Sequence, residues 1–158
     1  MFDVWRLIRP EYDERLDGEG SKIAGGRWNS VGRNAVYTSS HLSLAVLEVY
    51  VNVPQELRDN LPILQAVRIA IPDDARATQI SQARFASLIV APDPIAESRT
   101  IGDDWLDRGD TLVLEAPSAL VPEESNFILN PAHPRMRDVK IVSTRAFHFD
   151  PRLVVRRT

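Results

Sequence analysis

Glu48 is the residue whose surroundings first indicate chemistry. It lies in the apolar segment Leu44-Ala45-Val46-Leu47-Glu48-Val49-Tyr50-Val51, and no residue three or four positions away is a cation. A helix that is apolar on nearly all sides is typically buried, where an unpaired carboxylate costs several kcal/mol or stays protonated. Either a basic residue from a distant segment meets Glu48, or Glu48 lines a cavity. A purely structural ion pair, or a helix side that faces water, remains open.

Arg27 and Trp28 follow a pair of glycines in the segment Gly25-Gly26-Arg27-Trp28-Asn29-Ser30. Paired glycines let the backbone pass close to a ligand. Arg27 offers a planar donor fork suited to phosphate or carboxylate, and Trp28 offers a flat wall. The alternative is an ordinary glycine turn with an exposed arginine. The spacing of these glycines does not match the phosphate-loop or dinucleotide patterns.

Tyr37 and Ser39 lie where a predicted strand hands over to the Glu48 helix, in Val36-Tyr37-Thr38-Ser39. A strand end and a helix N-terminus meet at this point, which favours an anionic ligand. Ser39 and Ser40 are also available to cap the first turn of the helix. The alternative for Tyr37 is a half-buried core tyrosine, which is the commoner fate of strand tyrosines.

Ser118 and Asn126 are polar residues beside two later strands. Ser118 is a plausible hydrogen-bonding residue at a strand end. No Gly-x-Ser-x-Gly segment occurs, so Ser118 has little support as a nucleophile. Asn126 and the segment Asn130-Pro131-Ala132-His133-Pro134 form a second polar group, for which a simple turn is the alternative. No histidine pair or dense acidic group predicts a metal site.

The predicted elements alternate irregularly, which is typical of a mixed α+β domain. We expect strands at residues 4–8, 35–38, 63–71, 111–115, 126–129 and 139–143. A helix is expected at 39–51, with short helices around 85–90 and 103–107. Residues 18–32 are expected to form a glycine-rich loop with a short extended piece around Arg27. The length of 158 residues suits one domain, here residues 1–158.

Composition excludes several classes of protein. The chain has no cysteine, which removes disulfides, thiolate catalysis and cysteine metal sites. Its net charge of −3 argues against direct binding to nucleic acid. No run approaches the roughly 18 apolar residues of a membrane span. The N-terminus lacks the pattern of a secretory signal, so we expect the cytoplasm as its location.

Taken in order along the chain, these segments resemble the RES domain family, which is named for an arginine, a glutamate and a serine. The pieces that carry the resemblance are Trp5-Arg6, Gly18-Glu19-Gly20, Gly25-Gly26-Arg27-Trp28-Asn29, Val36-Tyr37-Thr38-Ser39, Leu47-Glu48-Val49, Pro117-Ser118-Ala119, Asn126 and Asn130-Pro131-Ala132-His133-Pro134. No single piece is specific, but the ordered set spans nearly the whole chain.

The resemblance implies a toxin of a type II toxin–antitoxin system, neutralised by an Xre-like antitoxin in a hetero-oligomer. It implies a fold similar to that of diphtheria-toxin-like ADP-ribosyltransferases, with a split β core around a cleft for NAD⁺. Such enzymes break the nicotinamide–ribose bond of NAD⁺ and pass ADP-ribose to a protein, to water or to phosphate. The alternative is a non-catalytic module that uses the same cleft to bind a nucleotide or a protein.

By motif position the resemblance implies roles for four residues. Glu48 would stabilise the positive charge that develops on the ribose. Arg27 would hold the pyrophosphate, or pair with Glu48 in the empty site. Tyr37 would stack on nicotinamide or ribose, and Ser118 would bind the nicotinamide end. Additional site residues are expected at Arg6, Trp28, Ser39 and Asn126. Many relatives have a histidine where this chain has Asn52, which leaves the choice of acceptor open.

Overall fold

The computed structural model describes residues 1–12 and 15–154. Seven strands and four helices follow one another as β1 (Phe2–Ile8), α1 (Glu19–Ala24), β2 (Val36–Ser39), α2 (Leu42–Asn52), β3 (Leu64–Ile71), β4 (Ala77–Gln79), α3 (Gln82–Ile89), α4 (Pro94–Arg108), β5 (Val113–Pro117), β6 (Ser125–Leu129) and β7 (Lys140–Phe147). Short 3₁₀ helices lie at Gln55–Leu57, Pro134–Asp138 and Pro151–Leu153. No helix in this part of the chain is both long and apolar enough to span a bilayer.

The strands form one mixed sheet in the order β4-β5-β6-β2-β1-β3-β7. Strands β4 and β5 run parallel, and the other neighbours in this order are antiparallel. The sheet is nearly divided in the middle, because β1 and β2 pair only at Trp5 and Ser39 within the described residues. By contrast, β1 pairs with β3 along its whole length, from Phe2 to Ile8. The α+β class and the split β core expected from the sequence are therefore both confirmed.

The three longer helices cover one face of this sheet. Residues opposite one another in a sheet share a face, and side chains alternate along each strand. Trp5 is opposite Ser39, and Tyr37 is opposite Ile128, so these four side chains share a face. On that face Ile128 belongs to the core cluster that includes the α3 and α4 residues Phe85 and Trp105. Leu7 and Ala45 pack α2 against the β1 half of the same face.

The other face of the sheet holds a separate apolar core. Val4, Val36, Ile69, Val113 and Leu129 are all fully or almost fully buried there. Among the described residues one apolar cluster lies on this face and two lie on the helix-covered face, which also carries Tyr37, Ser39 and Asn126. The alternation of strand side chains thus decides which polar groups can reach the helices.

Helix α2 corrects the sequence-based expectation in two respects. It begins at Leu42 rather than at Ser39, because Ser39 continues β2 opposite Asn126. Its N-cap is His41, which makes no side-chain capping bond, so no serine caps the helix. Nor is α2 buried on nearly all sides: it is covered through Leu44 and Ala45, while Leu47 and Val51 are 37% and 40% exposed.

Several other elements differ from the predicted ones. The glycine-rich loop contains α1, whose Ser21 hydroxyl donates to the carbonyl of Ala35 at 2.6 Å and thereby fixes the turn. No strand forms around Arg27, and β4 was not predicted. The short helix expected at 103–107 is the end of the much longer α4, which is capped by Asp93. The turn interpretation of residues 130–134 is confirmed by the bond from His133 N–H to the Asn130 carbonyl.

Candidate active site at the split of the sheet

The carboxylate of Glu48 is held by side chains from two other segments. Its Oε1 accepts hydrogen bonds from Ser118 Oγ at 2.9 Å and from Asn126 Nδ2 at 2.7 Å. Asn126 Oδ1 in turn accepts from Ser39 Oγ at 2.8 Å, across the β2–β6 pair. We call Glu48, Ser118, Asn126 and Ser39 the carboxylate cluster. It combines α2, the end of β5, β6 and β2, and it includes Ser39, which pairs with Trp5 where the two halves of the sheet meet.

Ser118 is oriented so that its proton points at Glu48. The side chain is completely buried, and its Oγ accepts the backbone N–H groups of Leu120 and Val121 at 3.0 and 3.2 Å. These two donors occupy the lone pairs of the hydroxyl, which leaves the O–H to donate to the carboxylate. Ser118 therefore holds Glu48 in place and is not arranged as a nucleophile.

The second oxygen of Glu48 is the open one. Oε2 accepts no hydrogen bond from the residues that the structure describes, whereas Oε1 accepts two. Glu48 also forms no ion pair with Arg27 or any other described cation, so of the two alternatives for Arg27 the pair with Glu48 is not present among the described residues. Two neutral donors anchor the half-buried carboxylate without neutralising it. The arrangement leaves a fixed negative oxygen available to a ligand.

Tyr37 fastens the loop that carries Arg27. Its hydroxyl donates to Asn29 Oδ1 at 2.6 Å and accepts the backbone N–H of Trp28 at 2.9 Å. Burial raises the pKa of Tyr37 well above its ordinary value, so the phenol stays protonated and keeps donating. Gly26 permits this packing, because a Cβ there would lie 2.6 Å from the Tyr37 Cζ atom. We call residues 25–33 the arginine loop.

Asn29 and Trp28 form the internal framework of the arginine loop. Asn29 is fully buried, and its Nδ2 donates to the carbonyls of Ser21 and Arg33 at 3.1 and 2.9 Å. The Trp28 ring is 3% exposed and packs against Phe85. The expectation that Trp28 forms an open wall for a ligand is therefore wrong, because this ring is a core residue.

Helix α4 is the platform on which the arginine loop rests. The Ser30 N–H and hydroxyl both donate to Asp103, at 3.0 and 2.6 Å. Arg33 forms an ion pair with Asp107 one turn further along. Gly102 lies directly under the Trp28 backbone, with no space for a side chain. The loop is thus fixed by backbone contact as well as by charge.

Arg27 is a cation without a counter-charge among the described residues. Its Nη1 is buried and lacks a hydrogen-bond partner in this part of the chain, and its guanidinium lies 5.9 Å from the Phe85 ring centroid. Buried polar groups of proteins are nearly always hydrogen-bonded, so a bound anion would supply what Nη1 lacks. Tyr37 contacts the arginine loop, and Ser39 belongs to the carboxylate cluster. These two residues lie two positions apart on β2, so their side chains share a face and their Cα atoms are about 7 Å apart.

Arg6 is a second predicted site residue, besides Trp28, that the structure places away from the site. It is opposite Val67 in the sheet and so shares the face of the Val4 and Ile69 core, across the sheet from Ser39. Burial lowers the pKa of Arg6, and nearby Asp17 opposes that effect.

Two residues that hold the arginine loop, Asn29 and Arg99, were not among the predicted site residues. Asn29 lies within the glycine-rich motif, where its position between Trp28 and Ser30 was the available signal. Arg99 donates to the Gly26 carbonyl from α4. Nothing in the sequence distinguishes Arg99 from the many other arginines.

Comparison with known proteins assigns the family. The model of the RES domain matches residues 3–150. The chain is 36% identical over 157 residues to the Prs ADP-ribosylating toxin of Sphingobium sp. (strain YBL2), covering 95% of both proteins. It is 38% identical over 154 residues to Toxin Res of Photorhabdus laumondii subsp. laumondii, covering 96% of both. The chain belongs to the RES domain family, as its ordered motifs indicated.

The fold has a counterpart among solved structures. A chain in the crystal structure of the M. tuberculosis MbcT–MbcA toxin–antitoxin complex superposes with a TM-score of 0.73. The match covers 92% of this chain and 84% of the other, at 16% sequence identity. At that identity the likeness establishes a shared α+β architecture.

Proposed function

We propose that this protein is the toxin of a toxin–antitoxin pair, and that it cleaves the nicotinamide–ribose bond of NAD⁺ and transfers the ADP-ribose. Its Sphingobium relative is named an ADP-ribosylating toxin and aligns with nearly the whole chain. The observation that carries the proposal is the carboxylate of Glu48, with Oε1 anchored by two donors and Oε2 open.

Glu48 suits this reaction because of the charge that develops on the ribose. When the C1′–N bond breaks, its electron pair leaves with nicotinamide and C1′ becomes similar to an oxocarbenium ion. A carboxylate fixed beside C1′ stabilises that charge, or holds a ribose hydroxyl, without reorganising during the reaction. The acceptor then forms the new bond to C1′ and loses a proton. Nicotinamide leaves as a neutral molecule, so no strong general acid is required.

Arg27, Tyr37 and Ser118 have supporting roles in the proposal. Arg27 would bind the diphosphate of NAD⁺, because its Nη1 lacks a partner among the described residues. Tyr37 would contact the nicotinamide or ribose while its hydroxyl holds the arginine loop. Ser118 would act through Glu48, because its buried hydroxyl already donates to that carboxylate and has no further group to offer nicotinamide. Ser39 and Asn126 would complete the wall. No cluster of metal-ligating side chains occurs in residues 1–12 and 15–154.

The decisive experiment mixes purified protein with NAD⁺ and measures nicotinamide by mass spectrometry. We expect release by the wild type and a loss of about 10²- to 10³-fold or more in Glu48→Gln, which keeps the size of the side chain but removes its charge. Glu97→Gln is the matched control, because Glu97 is an exposed residue in the first turn of α4. Circular dichroism confirms that all variants are folded. Unaltered turnover in folded Glu48→Gln would remove Glu48 from the reaction, and NAD⁺ binding without turnover in the wild type would favour the non-catalytic module.

The same reaction separates the classes of acceptor and tests the biological role. Labelled NAD⁺ incubated with cell lysate gives a labelled protein if ADP-ribose passes to a side chain, and only small ADP-ribose products if it passes to water or phosphate. Expression in the cytoplasm should arrest growth, and co-expression of a cognate Xre-like antitoxin should relieve the arrest. Harmless expression of soluble wild-type protein would contradict the toxin assignment.

A further inference from the structure

Arg99 of α4 lies against the arginine loop and makes only one bond to it. Its Nε donates to the Gly26 carbonyl at 2.8 Å. Its Nη2 lies beside Gly25, 2.8 Å from where a Cβ of that residue would be. Neither Nη atom donates a hydrogen bond to any other described group. The guanidinium is therefore fixed by one edge, while the rest of its donor fork is unoccupied.

No carboxylate neutralises Arg99 in the described part of the chain. The acidic residue four positions along α4 is Asp103, which accepts from the N–H and hydroxyl of Ser30 and lies 3.7 Å from Arg33. Many arginines of the protein do form ion pairs, such as Arg33 with Asp107. Arg99 and Arg27 form none with described residues, although Arg99 contacts the same loop that carries Arg27.

Both guanidinium groups act on the same hydroxyl. The pKa of Tyr37 is raised mainly by burial, and the positive charges of Arg99 and Arg27 both oppose that rise. Such an effect requires both charges to be near the Tyr37 oxygen. The negative charge of Asp103 acts on the phenol in the opposite sense. An anion that contacts both guanidinium groups would be attracted by both positive charges.

We propose that Arg99 is a substrate-binding residue that grips the diphosphate of NAD⁺ together with Arg27. This inference rests on the proposed function. A diphosphate carries two adjacent negative charges, and two guanidinium forks match them better than a single one. The bond from Nε to Gly26 presets the angle of the fork, so that the Nη atoms are left for phosphate oxygens. Arg99 would thus give affinity for the ADP-ribose part of the substrate and leave bond cleavage to Glu48.

The test measures binding without turnover. Isothermal titration with ADP-ribose compares the wild type with Arg99→Gln and Arg99→Lys. Arg108→Gln is the matched control, since Arg108 is on the same helix but pairs with Asp104 and Asp110 at the surface. We expect Arg99→Gln to bind ADP-ribose about 10- to 100-fold more weakly. The affinity of Arg99→Lys for ADP-ribose should lie between those of the wild type and Arg99→Gln, because lysine keeps the positive charge but lacks the planar donor fork.

Steady-state kinetics distinguish binding from a purely structural role. Loss of a substrate-binding group raises KM for NAD⁺ with little change in kcat, whereas a collapsed loop lowers kcat. Wild-type affinity for ADP-ribose in Arg99→Gln, or a fall in kcat at constant KM, would overturn the role of Arg99. If Arg99→Gln is unstable, the folded Arg99→Lys variant decides by the same criteria. The proposed function fails separately, when the wild type itself neither binds ADP-ribose nor releases nicotinamide.

Discussion

At Gly102 the helix α4 leaves no space for a side chain, and a single methyl group there should disrupt the site from a distance. A Cβ on Gly102 would lie 2.6 Å from the carbonyl carbon of Trp28 and 2.9 Å from its Cα, with the carbonyl oxygen nearer still. Ordinary contact begins at 3.4 Å, so the loop backbone must retreat by at least 0.8 Å. Because the obstacle is backbone rather than the end of a flexible side chain, no rotamer change relieves it.

The retreat breaks the bonds that hold the arginine loop on α4. The bond from Arg99 Nε to the Gly26 carbonyl is 2.8 Å long, and an additional 0.8 Å takes it beyond hydrogen-bonding range. The two bonds from Ser30 to Asp103 join the same loop to α4, so we expect them to be stretched as well. Overpacking together with the loss of one or two such bonds destabilises the fold by about 2 to 4 kcal/mol. For a chain of this size, Tm should fall by roughly 4 to 16 °C.

Gly20→Ala is the matched control for Gly102→Ala. Gly20 is also helical, but it is exposed and a Cβ there would meet nothing within 4 Å. The same substitution should be neutral there or stabilise by up to about 1 kcal/mol, since alanine favours the helix. Thermal unfolding followed by circular dichroism measures both variants, and nicotinamide release reports on the site. If Gly102→Ala had the same Tm as Gly20→Ala, the contact between α4 and the arginine loop would be refuted.

Two further predictions concern the polar groups of the site. Ser118→Ala removes one donor from Glu48 and leaves two loop N–H groups unpaired, so nicotinamide release should fall by about 10- to 100-fold; an unchanged rate would show that Asn126 alone suffices. Tyr37→Phe should lower stability near neutral pH through loss of the bond to Asn29. The raised pKa of folded Tyr37 means that the wild type loses stability as pH rises above about 10, the ordinary tyrosine value, whereas the variant lacks this loss. The stability difference from urea titration should therefore shrink between about pH 8 and pH 11, and a constant difference would contradict a buried phenol.

Six of the seven strands that the structure describes were predictable, because they contain short apolar runs bounded by proline, glycine or polar residues. Strand β4, with the sequence Ala-Thr-Gln, lacks such a run and was missed. The residue types and their order also selected Glu48, Ser118 and Asn126, which the fold joins by hydrogen bonds. Their geometry was beyond reach, because Glu48 and Asn126 are far apart in the chain and nothing local indicates that they meet. The helix around Glu48 was expected to be buried on nearly all sides. An apolar composition does not show whether another element packs on each face, and here Leu47 and Val51 are left exposed.

The platform under the arginine loop shows a different limit. Gly102 interrupts a helical pattern, and an isolated glycine within a helix commonly has a packing reason. The helix expected here covered only residues 103–107, so this signal did not enter the prediction, and it does not identify the Trp28 backbone as the neighbour. Arg99 carried no signal at all, because its role depends on the carbonyl of Gly26, a group that every residue possesses.

Among the described residues, Trp5 and Ser39 are the one pair that joins β1 to β2, so we expect the carboxylate cluster to be sensitive to the tilt between the two halves of the sheet. The backbone of Ser39 pairs with β1, and its hydroxyl donates a hydrogen bond to the side-chain amide oxygen of Asn126. A small rotation of one half against the other would draw Ser39 away from Asn126, whose amide would then hold Glu48 less firmly, while the bond from Ser118 remains. A force applied to the outside of the sheet at this pair would therefore reach the anchored carboxylate without contact with Glu48 itself.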